Sequence, residues 1–324
     1  MTHAAHLDAV GRTALVTAAM RAAETGRPDA IHRDPYAATL AGDLGPRLLA
    51  ELLGATAAGS PAGGSAASSA EGSAGRSAAR SAGRSAARSA DVPAGAPAGA
   101  YRTARQDYNA ARTRFFDDYL RTAADEPDTR QIVVAGAGMD SRAYRMDWPE
   151  GLRYFEVDRP PVMAYKSACL AGVTPRADRR TVAVDLTSPS WPAVLTGAGY
   201  EPDRPSAWLL EGLLYYLPVA AVHRVLDQVA ELAAPGSRIA ADVVNTAALT
   251  LPDQRRLLEV FASWGCPWLF GCDEPEELFD QHGFKADVVQ PGEPGAEFGG
   301  RPAPPPVRGL PGVRRVFLVT GRRN

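Results

Sequence analysis

Apolar positions along this 324-residue chain follow two different periods, and the change between them falls near Arg130. Before it the spacing is helical. The stretch TALVTAAMRAAETG carries Leu15, Val16, Ala19, Met20 and Ala23 on one helical face, closed by Gly26 and Pro28. Further on, ARQDYNAARTRFFDDYLRTA sets Tyr108, Ala111, Phe115 and Tyr119 on a second stripe. After Arg130 the runs are short and β-branched: QIVVAGAG, LRYFEVD, RRTVAVDL, AWLLEGLLYYL, SRIAADVV, ADVVQ and VRRVFLVTG. Helical segments such as PVMAYKSACLAG, PVAAVHRVLDQVAELAAPG and EPEELFDQHGF lie between them. That alternation argues for βαβ units. The expectation is an α/β fold, a doubly wound, mostly parallel seven-stranded sheet with an N-terminal helical cap.

Composition breaks once. From about Ala55 to Ala100 the chain is nearly all Ala, Ser, Gly, Pro and Arg, with Arg76, Arg80, Arg84 and Arg88 four residues apart. Such a segment has little apolar surface to offset its ordering entropy, so residues 55–100 read as a disordered, solvated insertion. The alternative is a helix with one basic face for an acidic partner. The insertion divides a helical cap, 1–54, from an α/β domain, 101–324.

A hydrophobic share of 45% supports a large core, and a net charge of −2 gives no reason to expect nucleic acid as a partner. Cys169, Cys266 and Cys272 form no CxxC pair and fit no common zinc spacing, so reduced thiols and no metal are expected. No run approaches the roughly 18 apolar residues of a membrane span. These features predict a soluble cytoplasmic protein with no membrane partner.

The chemistry starts at QIVVAGAGMD, where a strand breaks into Gly136, Ala137 and Gly138. Glycines there let backbone approach a ligand closely. The next strand ends in Asp158, 22 residues past Gly136, near the ~20 expected of an acid that accepts from ribose hydroxyls. The third ends in Asp185, followed by Leu186. A third glycine is missing, and Asp140 would repel a pyrophosphate. A cationic or zwitterionic adenosine ligand such as S-adenosyl-L-methionine fits better than a dinucleotide. Glu211, inside the apolar run AWLLEGLLYYL, requires a partner or a function.

The strings QIVVAGAGMDSRAYRM, YFEVDRP, AVDL and AWLLEGLLYYL resemble the leucine carboxyl methyltransferase family, and TALVTAAMRAAE and RDPYAATLAG match its actinobacterial S-adenosyl-L-methionine-dependent branch. The resemblance covers nearly the whole chain outside the insertion. It implies a Rossmann-like class I methyltransferase with S-adenosyl-L-methionine as cofactor. Gly136, Ala137 and Gly138 would lie against its methionine part, Asp158 on the ribose, and Asp185 and Leu186 around adenine. Glu211 would face the ammonium or the transfer centre, and Arg114 would pair with the cofactor carboxylate. The implied activity is O-methylation of a carboxylate or hydroxyl on a small-molecule acceptor, with the cap as lid. The alternative is a non-catalytic S-adenosylmethionine-binding protein.

Other readings stand beside these. Asp158 and Asp185 also suit helix N-caps, and Arg114 also suits an ion pair with Asp117 or Asp118. Arg142 and Arg145 read as surface or substrate-side groups, His223 as a partly exposed helix residue and His32 as structural. Tyr215 and Tyr216 fit core packing or contact with cofactor or acceptor. No residue is nominated as a catalytic base.

Overall fold

The computed structural model describes residues 7–58 and 98–324. The expected insertion falls mostly on residues 59–97, outside the described residues. Its flanks are helix ends, because α3 (Leu44–Ala58) runs to Ala58 and α4 (Ala98–Asp125) starts at Ala98.

Seven strands form one sheet: β1 (Gln131–Ala135), β2 (Arg153–Asp158), β3 (Asp178–Ala183), β4 (Ala207–Leu210), β5 (Arg238–Val244), β6 (Phe284–Val289) and β7 (Val316–Arg323). Their order is β3-β2-β1-β4-β5-β7-β6, parallel except for β7, which runs antiparallel to β5 and β6. Every residue of β1 is buried, as a strand covered on both faces requires. Side chains alternate between two cores. Ile132, Val134, Tyr154 and Leu209 point to one face, where Leu15, Leu52, Phe116 and Leu120 of the N-terminal helices meet them. Val133, Phe155, Trp208 and Leu210 point to the other. There Val222, Val225, Leu226 and Val229 of α8 (Val219–Leu232) cover them at helical spacing.

The cap helices α1 (Ala9–Thr25), α2 (Ala37–Ala41) and α3 therefore share a core with the sheet. Helix α4 joins the layers, packing on α1 and α3 and reaching β4 and β5. The remaining helices are α5 (Arg142–Arg145), α6 (Pro160–Cys169), α7 (Trp191–Gly197), α9 (Ala247–Thr250), α10 (Arg255–Ser263) and α11 (Pro275–Gln281). None among the described residues is long and apolar enough to cross a membrane.

Two features of the sheet matter for the site. The run AWLLEGLLYYL is not one strand: β4 stops at Leu210, Gly212 turns at φ +67°, and Leu214–Tyr216 form a 3₁₀ turn. Glu211 thus sits just past the end of the fourth strand. The strand order also reverses between β1 and β4, which opens a crevice at their carboxyl ends.

Candidate cofactor and active site

A cavity of about 260 Å³ occupies that crevice, lined by the turns after β1 to β4 and roofed by Val10, Thr13, Ala14 and Thr17 of α1. The β1 turn needs its glycines for conformation and for space. Gly136 and Gly138 have φ of +74° and +42°. A Cβ on Gly138 would lie 3.0 Å from the Ala14 Cβ, and one on Gly136 would lie 3.2 Å from Leu213. The turn is pinned by the amides of Gly136 and Ala137, which both donate to the Val157 carbonyl at 2.9 and 3.0 Å.

Asp158 accepts from the Gly138 and Arg159 amides, each at 2.7 Å, one on each carboxylate oxygen. Burial pushes its carboxyl above the usual range, against the pull of those two amides. Each oxygen keeps a lone pair for a ligand hydroxyl. Asp185 lies two residues past β3 and is exposed at the cavity edge, while Leu186 is buried. One Asp185 oxygen closes an Asx turn, accepting from the Thr187 amide and hydroxyl at 2.7 Å each.

The opposite wall is ionic. Glu211 lies 2.8 Å from Arg142 Nη1 and 3.0 Å from Arg112 Nε. Burial opposes its ionisation, but Arg142 and Arg112 outweigh that and hold the carboxyl below its ordinary range. Arg142 also pairs with Asp140 and, at 2.7 Å, with Asp117, which Arg145 grips as well. Arg112 continues the chain to Asp242 at 2.9 Å and to the Tyr215 hydroxyl at 3.3 Å.

Gly136, Ala137, Gly138, Asp158, Asp185, Leu186 and Glu211 all line this one cavity. Arg114 does not. Its side chain is 43% exposed, pairs with Asp118 at 2.8 Å and lies over the Phe298 ring. The arginine of ARTRFF that reaches the cavity is Arg112. The reason is helical phase: Arg112 lies in line with buried Phe116 and Leu120 at steps of four, and Arg114 points away from that face. Arg142 and Arg145 are not surface groups either, since their side chains are only 3% and 7% exposed. Tyr215 and Tyr216 both line the cavity. His223 is half-buried on α8 against His282, 3.0 Å between ring nitrogens. His32 is buried and lies outside the cavity lining.

Sequence reasoning missed Arg112 and Asp242. The α4 phase through residues 112, 116 and 120 was the available signal for Arg112. Asp242 gave a weaker one, an acid within the apolar run IAADVV.

The turn is ill suited to a pyrophosphate. Asp140 pairs with Arg142, but that guanidinium is shared with Asp117 and Glu211 and does not cancel the Asp140 charge. What blocks the anion site is that α5 has one turn only, and its first amide, Arg142 N–H, already donates to Asp140 at 2.7 Å.

The profile of the family described as leucine carboxyl methyltransferase matches residues 14–230, which include every expected site residue. The chain belongs to the leucine carboxyl methyltransferase family. A curated relative from Mycolicibacterium gilvum (strain PYR-GCK), named "Putative S-adenosyl-L-methionine-dependent methyltransferase", is 52% identical over 142 residues. That match covers 43% of this chain and 47% of the relative, so it spans about half of the relative's length. In three dimensions the family member shares its fold with a duf574 family protein from Streptomyces avermitilis MA-4680, at TM-score 0.50 and 18% identity over 68% of this chain and 86% of that one. A crystal structure from Thermobifida fusca YX superposes at TM-score 0.48, with 23% identity over 68% and 83% of the two chains.

Proposed function

We propose that this protein is an S-adenosyl-L-methionine-dependent methyltransferase that methylates an oxygen of a small-molecule carboxylate. The observation that carries the reading is convergence. One cavity at the topological switch collects a positive-φ glycine turn, two strand-end aspartates, a half-buried glutamate and a buried arginine, each suited to a different part of that cofactor. When bound, S-adenosyl-L-methionine supplies a methyl group already activated on a sulfonium.

The residues divide the recognition. Gly136–Gly138 give backbone contact to the methionine part, Asp158 accepts from the ribose hydroxyls, and Asp185 with Leu186 brackets adenine. Glu211 faces the ammonium. Arg112, in place of Arg114, receives the carboxylate in a charge-assisted contact. Thr13, Ala14 and Thr17 of α1, with Tyr216, exclude water from the reacting atoms.

The acceptor class follows from what the lining lacks. A hydroxyl acceptor needs a base, and among the described residues that line the cavity there is no histidine to serve as one. Glu211 is held ionised by two arginines, and burial raises Tyr216 to about 12 and Tyr215 further. A carboxylate is already ionised at neutral pH, so its oxygen forms the new bond to carbon as the sulfur–carbon bond breaks, with no proton to move.

The test is turnover. Incubation with S-adenosyl-L-methionine and a panel of small carboxylic acids should yield methyl esters and S-adenosylhomocysteine in equal amounts by mass spectrometry. Tight binding of cofactor with neither product, across acids and phenols alike, would instead mark a binding protein.

A further inference from the structure

We infer that Asp242 is a positioning residue, which aims Arg112 into the cavity and fixes the turn that carries Glu211. The inference rests on the cofactor reading above and lies beyond the family match, which ends at residue 230.

Asp242 is fully buried near the carboxyl end of β5, and it touches no part of the cavity itself. Its two oxygens have separate tasks. Oδ1 accepts from the Gly212 amide at 2.6 Å, one residue past Glu211. Oδ2 accepts from Arg112 Nη1 at 2.9 Å and from the Tyr108 hydroxyl at 3.1 Å. Tyr108 and Arg112 are four residues apart on α4, and the guanidinium stands 5.8 Å from the Tyr108 ring centre. Arg112 is thus held by Asp242 on one side and Glu211 on the other, with Tyr215 completing the clamp.

The arrangement answers a physical problem. An arginine side chain has many rotamers, and one meant to meet a ligand carboxylate loses affinity for every rotamer the ligand must freeze. A buried carboxylate behind it fixes the fork before the ligand arrives. Gly212 holds φ +67°, the left-handed region that favours glycine, and in that turn its amide reaches Asp242. Because Glu211 and Gly212 are consecutive, one residue of β5 sets the groups for both the carboxylate and the ammonium of the ligand.

Two ligands separate positioning from general structural support. S-adenosylhomocysteine has the carboxylate and the ammonium, whereas methylthioadenosine keeps the nucleoside and lacks both. Calorimetry on Asp242→Asn, which keeps an acceptor for Gly212 and loses the anion behind Arg112, should show S-adenosylhomocysteine binding weakened at least ~10-fold. Methylthioadenosine binding should change less than about twofold. Equal weakening of both ligands, or no change in either, would overturn the inference. Arg112→Gln leaves the buried Asp242 carboxylate without its cation, and Arg112→Gln/Asp242→Asn removes that charge as well, so the two form a second comparison. Their S-adenosylhomocysteine affinities should coincide, since Asp242 acts through Arg112, and a further loss in the double variant would contradict that. Failure of the unaltered protein to bind either ligand would sink the cofactor reading instead.

Discussion

Two positions separate Arg112 from Arg114, and that offset decides which guanidinium meets the cavity. In sequence both belong to the same string, ARTRFF. Only the phase of the buried face tells them apart, with residues 112, 116 and 120 inside and 114 outside. Arg112→Met should therefore weaken S-adenosylhomocysteine binding at least ~10-fold, and Arg114→Met by less than about twofold, in parallel calorimetric titrations. The reverse ranking would restore Arg114 to the site. His32 allows a separate test. Both of its ring nitrogens are buried without a hydrogen-bond partner, and burial lowers its pKa from 6.5 to about 4. Asp117 and Glu24 oppose that shift, while Arg145 and Arg21 add to it. Because the unfolded chain binds this proton more readily, His32 costs stability as pH falls from about 6.5 toward 4, on the order of 3 kcal/mol in full. Urea midpoints should fall across that range, and His32→Leu should flatten the slope. An unchanged slope would show that other groups carry the acid sensitivity.

At the scale of elements, the strands were legible because buried parallel strands are short apolar runs, and the glycine and acidic residues that end them mark the crevice. The acids at the ends of the second and third runs needed no phase to be read, since a strand has two faces and one end. Helix α4 was harder, because it buries several sides at once and its charged residues are divided between core and solvent. A buried ion pair between elements also escaped notice. Lys166 of α6 and Glu156 of β2 are both fully buried and 2.9 Å apart, with Arg179 of β3 2.7 Å from the same carboxylate. Lys166→Met should lower unfolding free energy by ~3–5 kcal/mol in urea, because it strands part of the Glu156 charge. Arg180→Ala, at the half-exposed pair with Asp178, should lose under about 1 kcal/mol. Similar losses at both would mean that the buried pair has no special weight.

At the scale of the molecule, the switch in strand order makes the crevice, the cap helix α1 roofs it, and among the described residues the cavity lining comes from α1, α4 and the turns of the sheet. Replacing residues 60–97 with a flexible Gly/Ser linker should leave S-adenosylhomocysteine affinity within about twofold, and a large loss would give the segment a part in the site. The most direct test of the central claim is calorimetric titration of S-adenosyl-L-methionine and S-adenosylhomocysteine into the purified protein and into Asp158→Ala. The account predicts micromolar-range binding, on the order of 8 kcal/mol, weakened by ~1 kcal/mol or more when the ribose carboxylate is removed. If neither ligand binds, or if Asp158→Ala binds both as well as the unaltered protein does, the crevice serves another ligand and the methyltransferase reading fails.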